Sequence, residues 1–449
     1  MKKGLFLILI SVFISFFSFG QKKTKVEIKH TDVMKGDREI RRLQGNVVFK
    51  HDDAYMYCDS AISYAKDNRF EAYGHVRIVN KEVTVYGDTL FYSSSSSMAS
   101  LRGDIRMIHE KMTLTTHFLD YDLKKNMGFY RNGGKIVDAT NILQSQIGCY
   151  YVNDRMLFFK NDVELKNPNY VMQTDTLKYK TTTNVAYFVG PTTVVSNKDE
   201  IYTRNGWYNT NTDLAQLYQD SYLHSGAKYV YGDDMFYDRN KDEGIIRKNA
   251  IIKDTVEKLT LSSQYALYEG KKQAAFLTKK VLVVKEFDGD SLFLHADSIL
   301  FNQYTIVPLD STRSDSITYE VIKAFHKVRF YKSDVQGVCD SLVYHALDSM
   351  IYLCTEPIVW SEENQMTGLD IRLKLGENNT KMEKIIIESD AFLVAQSDED
   401  QFNQMKSKSL VGYIKNNELV RVDMFQNGET IYYMKDDDEV VGVNKAVCS

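Results

Sequence analysis

Apolar and polar residues alternate over most of the chain, as they do in strands that bury one face. In the stretch YGDTLFY, residues 86–92, Leu90 and Tyr92 stand two positions apart, so the pattern predicts that both point into a core. Gly87 and Asp88 are typical turn residues, and we predict a tight turn there between two strands. Near copies of this stretch recur at residues 173–179, 231–237, 295–301 and 338–344.

The copies recur with a period near 29 residues. Aligned on the last aromatic residue of the motif, they are separated by 28, 29, 30, 28, 29, 29, 31, 33 and 43 residues. The aligned residues are Tyr64, Tyr92, Tyr121, Tyr151, Tyr179, Tyr208, Tyr237, Tyr268, Phe301 and Tyr344. A period of about 20 to 50 residues indicates supersecondary units that stack on one another. Each unit is predicted to contain three or four short strands joined by tight turns.

The pattern predicts an all-β fold: an elongated, repeat-built β-jellyroll of stacked antiparallel strands, solenoid-like along its axis. Gly74, Gly103 and Gly190 are expected where a strand bends or ends, because glycine accepts positive φ. Helical periodicity is nearly absent, and residues 398–407 are predicted to form a polar loop.

Three segments are predicted along the chain. Residues 1–20 form an export signal, and residues 21–375 carry the tandem repeats. Residues 376–449 form a further β-strand region of the same type, because strands remain visible after the period is lost near Gly376. The last strand has no partner after it, which is typical of a chain truncated at its C-terminus.

The export signal is predicted from the charge and hydropathy of the N-terminus. Lys2 and Lys3 precede an apolar run at residues 5–19, and small residues stand just before Gln21. The run is short for a membrane span, so cleavage is favoured over an uncleaved anchor. No cysteine follows the cleavage point, which argues against a lipoprotein anchor.

Composition narrows the class of protein further. Four prolines, 30 tyrosines, 12% aromatic residues and a mean hydropathy of -0.35 are typical of a β protein and not of a bundle of membrane helices. The net charge of -4, without a local basic cluster, excludes the long-range attraction to phosphate on which nucleic-acid binding depends. No nucleic-acid partner is therefore expected.

The five cysteines are too few for a disulfide framework. Cys339 and Cys354 lie within one repeat, and we predict that they meet on neighbouring strands as a disulfide. The sequence has no CxxC motif and no His/Cys spacing that would hold zinc. No metal and no cofactor are predicted.

Aspartates recur in the motif, and stacked units would align them. A column of carboxylates could bind calcium or perform acid–base catalysis, as in a polysaccharide-degrading β-helix enzyme. Each aspartate, however, precedes Ser, Thr or Asp at a predicted turn, where its side chain can accept backbone N–H bonds. Other residues break the column, and we favour turn capping and predict no enzymatic activity. The aspartates are Asp88, Asp175, Asp233, Asp297 and Asp340, and the interrupting residues are His117, Ile147, Arg204 and Gln264.

Three short motifs, taken together, carry a family resemblance. They are Gly45-Asn46-Val47, Asp88 with Leu90 and Tyr92, and Ala72-Tyr73-Gly74. Repeated behind an export signal, they resemble the organic-solvent-tolerance (OstA) family, which includes the periplasmic lipopolysaccharide-transport proteins. The resemblance covers residues 25–371 as tandem units and residues 382–433 more loosely.

The resemblance implies a fold, a ligand and partners. It implies a β-jellyroll whose apolar interior holds the acyl chains of lipopolysaccharide or a related glycolipid and helps deliver them to the outer membrane. It implies a periplasmic location, with association at the outer membrane, and end-to-end pairing of exposed edge strands. The partners would be other lipopolysaccharide-transport proteins or, head to tail, a second copy of the chain. Val26 and Ile28 are the candidate edge-strand docking residues.

Residues at period 2 on the inward face are the candidates for the lipid groove, because burial of each CH2 group contributes about 0.8 kcal/mol. They are Val47, Phe49, Ile62, Tyr64, Val76, Ile78, Leu90, Tyr92, Leu119, Tyr121, Val163, Leu165, Leu177, Tyr179, Met235, Tyr237, Val281, Val283, Ile299, Phe301, Leu342 and Tyr344. The same residues could simply fill a dry core. An extracellular or periplasmic β-solenoid adhesin or carbohydrate-binding protein, with outward aromatics such as Trp207 and Tyr208, remains the alternative function.

Overall fold

The structure is a computed structural model. It describes residues 26–448 apart from 52–53, 80–82, 94, 110–111, 123, 139, 197–198, 288, 307–315, 362, 377–380, 399, 416–417 and 437–438. The predicted export signal lies outside the described residues. The described residues form strands and turns with one short 3-10 helix at Gly270–Lys272. They include no helix that is long and apolar enough to cross a membrane.

The chain divides into two compact units, Met1–Gly226 and Ala227–Ser449. The strands of unit 1 are β1 (Glu27–His30), β2 (Val33–Gly36), β3 (Ile40–His51), β4 (Ala54–Tyr64), β5 (Arg69–Val79), β6 (Val83–Ser93), β7 (Met98–His109), β8 (Met112–Asp122), β9 (Met127–Tyr130), β10 (Gly134–Val137), β11 (Ile142–Ser145), β12 (Ile147–Tyr151), β13 (Met156–Asn167), β14 (Tyr170–Lys180), β15 (Val185–Ser196), β16 (Asp199–Asn209) and β17 (Leu214–Ser225).

The strands of unit 2 are β18 (Lys228–Asp238), β19 (Glu243–Ile246), β20 (Ala250–Asp254), β21 (Leu259–Ser263), β22 (Tyr265–Glu269), β23 (Ala274–Phe287), β24 (Asp290–Ile306), β25 (Ile317–Lys332), β26 (Val335–His345), β27 (Met350–Cys354), β28 (Ile358–Ser361), β29 (Asn364–Thr367), β30 (Asp370–Leu375), β31 (Met382–Asp398), β32 (Gln401–Lys415), β33 (Glu418–Phe425), β34 (Gly428–Asp436) and β35 (Glu439–Cys448). The prediction of a polar loop at residues 398–407 is wrong, since most of that segment lies in β31 and β32.

Antiparallel pairing between successive long strands is interrupted by bulges, as between β5 and β6. Tyr73 of β5 pairs with Thr89 of β6, but the next pair joins Val76 to Gly87. Gly74 and His75 therefore lie opposite Asp88 alone, and both have a left-handed backbone with φ of 74° and 44°. A bulge bends the strand without ending it. The turn predicted at Gly87 and Asp88 is therefore wrong, because both residues lie inside β6.

The bulge recurs with a period that is more regular than the aromatic residues suggest. The single residue that faces the bulge, such as Asp88, is preceded by Cys58, Gly87, Thr116, Ser145, Thr174, Thr203 and Gly232, each 29 positions after the last. Where this preceding residue carries a hydroxyl, the hydroxyl donates to the carbonyl two residues later, as Ser145 does to Ile147 at 3.0 Å and Thr203 to Asn205 at 2.6 Å. These bonds satisfy backbone carbonyls at the bulge.

The bulges of neighbouring strands lie side by side, and we call the line through them the bulge line. Residues on both sides of this line are buried in one core within each unit. In unit 1, Val47 and Val85 lie on one side of the bulges, Leu90 and Leu177 lie on the other, and all four belong to the same buried cluster. The sheet therefore folds at the bulge line, with both halves of each strand facing that core. The prediction of an all-β, repeat-built class with stacked antiparallel strands is confirmed. The domain boundary predicted near Gly376 stays a prediction.

Candidate functional site

The inner face of unit 1 carries a continuous row of apolar residues on the side of the bulge that follows the aspartate. Each residue lies directly opposite the next across an antiparallel pair, so the row crosses successive strands without a charged side chain. The row consists of Leu43, Ala61, Ala72, Leu90, Leu101, Leu119, Tyr130, Gly148, Phe159 and Leu177. We call it the distal row.

A second apolar row crosses the same strands on the other side of the bulge. Its residues also face one another pair by pair across the sheet. They are Phe49, Met56, Ile78, Val85, Met107, Leu114, Ile136, Leu143, Leu165 and Met172. We call it the proximal row. Because the sheet folds at the bulge line, the two rows line opposite walls of one interior.

The two walls touch at an aromatic stack. Phe49 of the proximal row stacks on Phe70, whose ring centroid is 5.5 Å away, and Phe70 stacks on Tyr92 at 5.2 Å. Phe70 and Tyr92 lie on the distal side of the bulge and pair with each other across β5 and β6. Three stacked aromatic rings therefore fill the interior at this point.

A large side chain fills the interior where the distal row has a glycine. Tyr130 is almost fully buried, and a Cβ at Gly148 would lie 2.2 Å from its ring. The Tyr130 and Ser145 hydroxyls are hydrogen-bonded at 2.6 Å. Burial raises the pKa of Tyr130 to about 12, so the phenol stays neutral at physiological pH.

Tyrosines that follow the distal row bond to the next turn through their hydroxyls. Tyr179 donates to Asn184 at 3.2 Å, and Tyr237 donates to Asp242 at 2.7 Å. Tyr121 and Asn126, and Tyr208 and Asp213, form the same pairing. Each acceptor has positive φ, which asparagine and aspartate tolerate better than most residues. The repeated Tyr-x4-Asn/Asp spacing is a sequence signal for the rim of the interior that the motif analysis missed.

Most predicted groove residues lie on the inner face. Those that are buried are Val47, Phe49, Val76, Leu90, Leu119, Tyr121, Val163, Leu165, Leu177, Tyr179, Val281, Ile299 and Leu342. Those that are half-buried are Ile78, Tyr92, Met235, Val283, Phe301 and Tyr344. Tyr237 lies at the rim of unit 2 and is 39% exposed.

Ile62 and Tyr64 were predicted to line the groove, but the structure places both on the outer face. Ile62 pairs with Glu71, while its neighbour Ala61 is buried and belongs to the distal row. The Arg69 guanidinium lies over the Tyr64 ring, 3.9 Å from its centroid. Ser63, and not Tyr64, stands 29 positions before Tyr92, so alignment on the aromatic residue shifts the predicted inward positions of β4 by one residue.

The family is decided by comparison with known proteins. The model of the OstA-like protein family matches residues 23–175 and 169–231. Residues 23–231 belong to the OstA-like family. The match spans the described strands of unit 1 and therefore both apolar rows. The recognition made from the repeated motifs is confirmed.

The whole chain was also compared with curated proteins and with solved structures. Among curated proteins, none matches it. Among solved structures it is similar to LptH of Pseudomonas aeruginosa, described as the LptA homologous periplasmic component of the conserved lipopolysaccharide transport device. The identity is 13%, the TM-score is 0.16, and the match covers 30% of this chain and 82% of that one. No residue role is transferred from a match of this kind.

Within the described residues, the first two strands pair with β3 alone. β1 and β2 both pair with β3, on either side of Asp32. Asp32 accepts a hydrogen bond from Asn46 at 2.9 Å, so this segment is a further copy of the repeat that sequence alignment missed. Val26 and Ile28 pack against the core of unit 1, as edge-strand side chains would. Their role in docking stays a prediction.

The two cysteines predicted to form a disulfide are free thiols in the structure. The register explains why: Cys354 of β27 lies opposite Ser341, whereas Cys339 pairs across β25 with Val328. Burial raises the pKa of Cys339 to about 12, and burial also raises the pKa of Cys354. Both side chains are therefore protonated at neutral pH.

Several aspartates at the repeat position contact a residue with left-handed backbone in a neighbouring strand. Asp59 bonds to His75 at 2.7 Å, and Asp233 accepts from Asn249 at 2.6 Å. In the column of aspartates, the interrupting residue predicted as Ile147 is Gln146, because Ser145 occupies the position that Gly87 has before Asp88. No group of three or more metal-ligating side chains occurs among the residues that the structure describes. The aspartates hold bulges where turns were predicted.

Proposed function

We propose that this OstA-like chain is a periplasmic transport protein for lipopolysaccharide or a related glycolipid. Its two apolar rows would receive acyl chains between the folded halves of the sheet. The observation that carries the proposal is the continuity of both rows across the strands of unit 1, uncharged from Leu43 to Leu177 and from Phe49 to Met172. The chain would act as a carrier and not as an enzyme.

The energetics favour acyl chains over polar ligands in this interior. Transfer of each CH2 group from water contributes about 0.8 kcal/mol, so a chain of ten such groups contributes roughly 8 kcal/mol. A charged group there would carry a desolvation cost without an ionic partner. Separation of an aromatic pair such as Phe49 and Phe70 costs about 0.5 to 1.5 kcal/mol beyond its buried area. Acyl chains could therefore displace the stack and enter between the walls.

Strand addition at the exposed N-terminal edge would supply the contact with partners. β1 and β2 each pair with β3, and Val33 and Met34 of β2 are 42% and 51% exposed. An added strand would satisfy free backbone groups and cover these side chains. Other lipopolysaccharide-transport proteins are the proposed partners, and a second copy of the chain could occupy the same edge head to tail.

Adjacent aromatic residues on opposite faces provide a matched test. Tyr92 lies on the inner face beside Phe70, and Phe91 lies on the outer face with 38% exposure. A photocrosslinking residue is placed at each position in cells, together with Leu90 as a second inner site. We expect lipopolysaccharide adducts at Tyr92 and Leu90 and none at Phe91. Adducts at Phe91 without any at the two inner positions would overturn the proposal.

A further inference from the structure

A large concave surface lies on the outer face of unit 1, away from both apolar rows. It has a volume of about 1400 Å³ and borders the bulge line. Polar side chains cross its floor in register, one on each of seven strands: Tyr86, Arg106, Thr115, Lys135, Gln144, Glu164 and Gln173. We call this surface the outer trough. Its lining differs from the interior in that few apolar side chains contribute to it.

We propose that the outer trough binds an extended oligosaccharide. Neighbouring strands are about 4.8 Å apart, so the six spacings from β6 to β14 give a polar row roughly 29 Å long. Such a row offers one side chain per strand to a linear chain of sugars. The trough lies on the opposite face from the apolar rows, so the inference goes beyond lipid transport and does not depend on it.

The side chains of the trough match the hydroxyl groups of sugars. Lys135 and Gln144 are exposed, and neither side chain has a hydrogen-bonding partner within the described part of the chain. Together they offer donors and an amide carbonyl acceptor to adjacent hydroxyls. Lys166 lies 2.7 Å from Glu164 and lowers the pKa of that carboxyl, which keeps it a charged acceptor.

An aromatic platform stands at one end of the row. The Arg106 guanidinium lies over the Tyr86 ring, 5.0 Å from its centroid. The Arg106 guanidinium covers one face of the Tyr86 ring, so a sugar would stack on the opposite face. Rings of this kind stack on the apolar faces of sugars while nearby polar groups bond to their edges.

Other ligand classes fit the trough less well. Every strand beneath the row, from β6 to β14, is paired on both sides, so no free edge could add a peptide strand. Arg106 and Lys135 are offset by Asp104, Asp162, Glu164 and Asp175, which disfavours polyanions. A neutral, hydroxyl-rich chain is the ligand that this mixture of donors and acceptors favours.

The test uses lipid-free sugars, so that it is separate from acyl-chain binding. The probes are maltohexaose and the core oligosaccharide, which mild acid releases from lipopolysaccharide without the acylated lipid and which is then dephosphorylated. Each is titrated into the full chain by calorimetry and NMR. We expect at least one probe to bind and Gln144→Ala to weaken its binding at least tenfold, with the same result for Lys135→Ala. Lys178→Ala, which alters an outer side chain over Phe158 away from the trough, is the matched control.

Three results would overturn the inference. The first is that neither probe binds at millimolar concentration to a protein with wild-type circular dichroism. The second is that Gln144→Ala and Lys135→Ala leave binding unchanged, and the third is that inorganic phosphate competes with the sugar with equal strength. Loss of lipid adducts at Tyr92 with intact sugar binding would instead count against the transport proposal alone, so the two failures are distinguishable.

Discussion

Phe49 and Phe70 lie on opposite sides of the bulge line, yet their rings stack with centroids 5.5 Å apart. β4 separates their strands in the sheet, so the contact exists only because the sheet folds back on itself. The pair therefore reports whether the two walls of unit 1 are closed. An interior that admits acyl chains must open at such contacts.

Replacement of Phe70 is expected to loosen this closure. Phe70→Ala removes both ring contacts and should destabilise unit 1 by roughly 3 kcal/mol, the lower end for such substitutions because the ring is only half-buried. Amide hydrogen exchange in β3 to β6 should accelerate. The control is Phe91→Ala on the outer face, for which we expect a smaller loss. Equal exchange in the two variants would show that the stack does not hold the walls together.

Replacement of Gly148 by alanine is expected to destabilise the protein more than the same replacement of Gly87. A methyl group at Gly148 would lie 2.2 Å from Tyr130 Cε1, whereas at Gly87 the nearest atom is Leu101 Cδ2 at 3.5 Å. Gly148→Ala should therefore cost about 1 to 3 kcal/mol through overpacking. Gly87→Ala should change the free energy of unfolding by about 0.5 kcal/mol or less. Urea unfolding monitored by tyrosine fluorescence measures both.

A second substitution separates this steric cause from backbone effects. Tyr130→Leu in the Gly148→Ala background frees the space that the ring occupies and should recover part of the lost stability. If the double variant is no more stable than Gly148→Ala, the clash with Tyr130 is not the cause.

Much of the fold was predictable from the sequence because it depends on local alternation. Leu90 and Tyr92, or Leu177 and Tyr179, stand after the bulge, where a period of 2 holds to the end of the strand, and both pairs point inward. The strand class and the repeat length follow from such pairs. The last aromatic residue of the motif marks the inward face of the strand less reliably than its regular spacing suggests.

The bulges were hidden because non-glycine residues adopt left-handed backbone there. His75, Asn46 and Asn249 all have positive φ, whereas the prediction assigned positive φ to glycines alone. Without the bulge, alignment on aromatics took Tyr64 and Tyr151 as equivalents of Tyr92. Tyr151 is in fact 38% exposed, and its neighbour Tyr150 is fully buried.

Contacts between the two walls could not be predicted from one strand at a time. The polar row of the outer trough is likewise assembled from one residue on each of seven strands, which are distributed along the chain from Tyr86 to Gln173. Only the register brings such residues together.

The thiols provide a chemical test of the β26–β27 register. In protein purified without reductant and then denatured, all five cysteines should react with a thiol reagent. In the folded protein at pH 8, exposed Cys448 should react first, because burial raises the pKa of Cys58 to about 11 and of Cys339 to about 12. Three reactive thiols after denaturation would indicate that Cys339 and Cys354 do form a disulfide.

The bulge contact between His75 and Asp59 is expected to depend on pH. The two side chains are 2.7 Å apart, and the hydrogen bond to Asp59 raises the pKa of His75 above its ordinary value. A raised pKa in the folded state means that the stabilisation is fully present below the unfolded pKa of about 6.5 and is lost as the pH rises through the folded value. NMR titration should give a pKa for His75 that falls to the ordinary range in Asp59→Asn.

The repeat itself supplies a replacement that is insensitive to pH. Asn46 bonds to Asp32 at 2.9 Å and Asn249 bonds to Asp233 at 2.6 Å, each at the place that His75 occupies. His75→Asn should therefore keep the contact and the positive φ while removing its titration. The protection factors of the amides around Asp59, which compare the observed exchange rate with the intrinsic rate at the same pH, should then no longer change between pH 6 and pH 8. Because both side chains are exposed, the effect should be local and weak. A pH dependence that survives in His75→Asn would place its origin in another group.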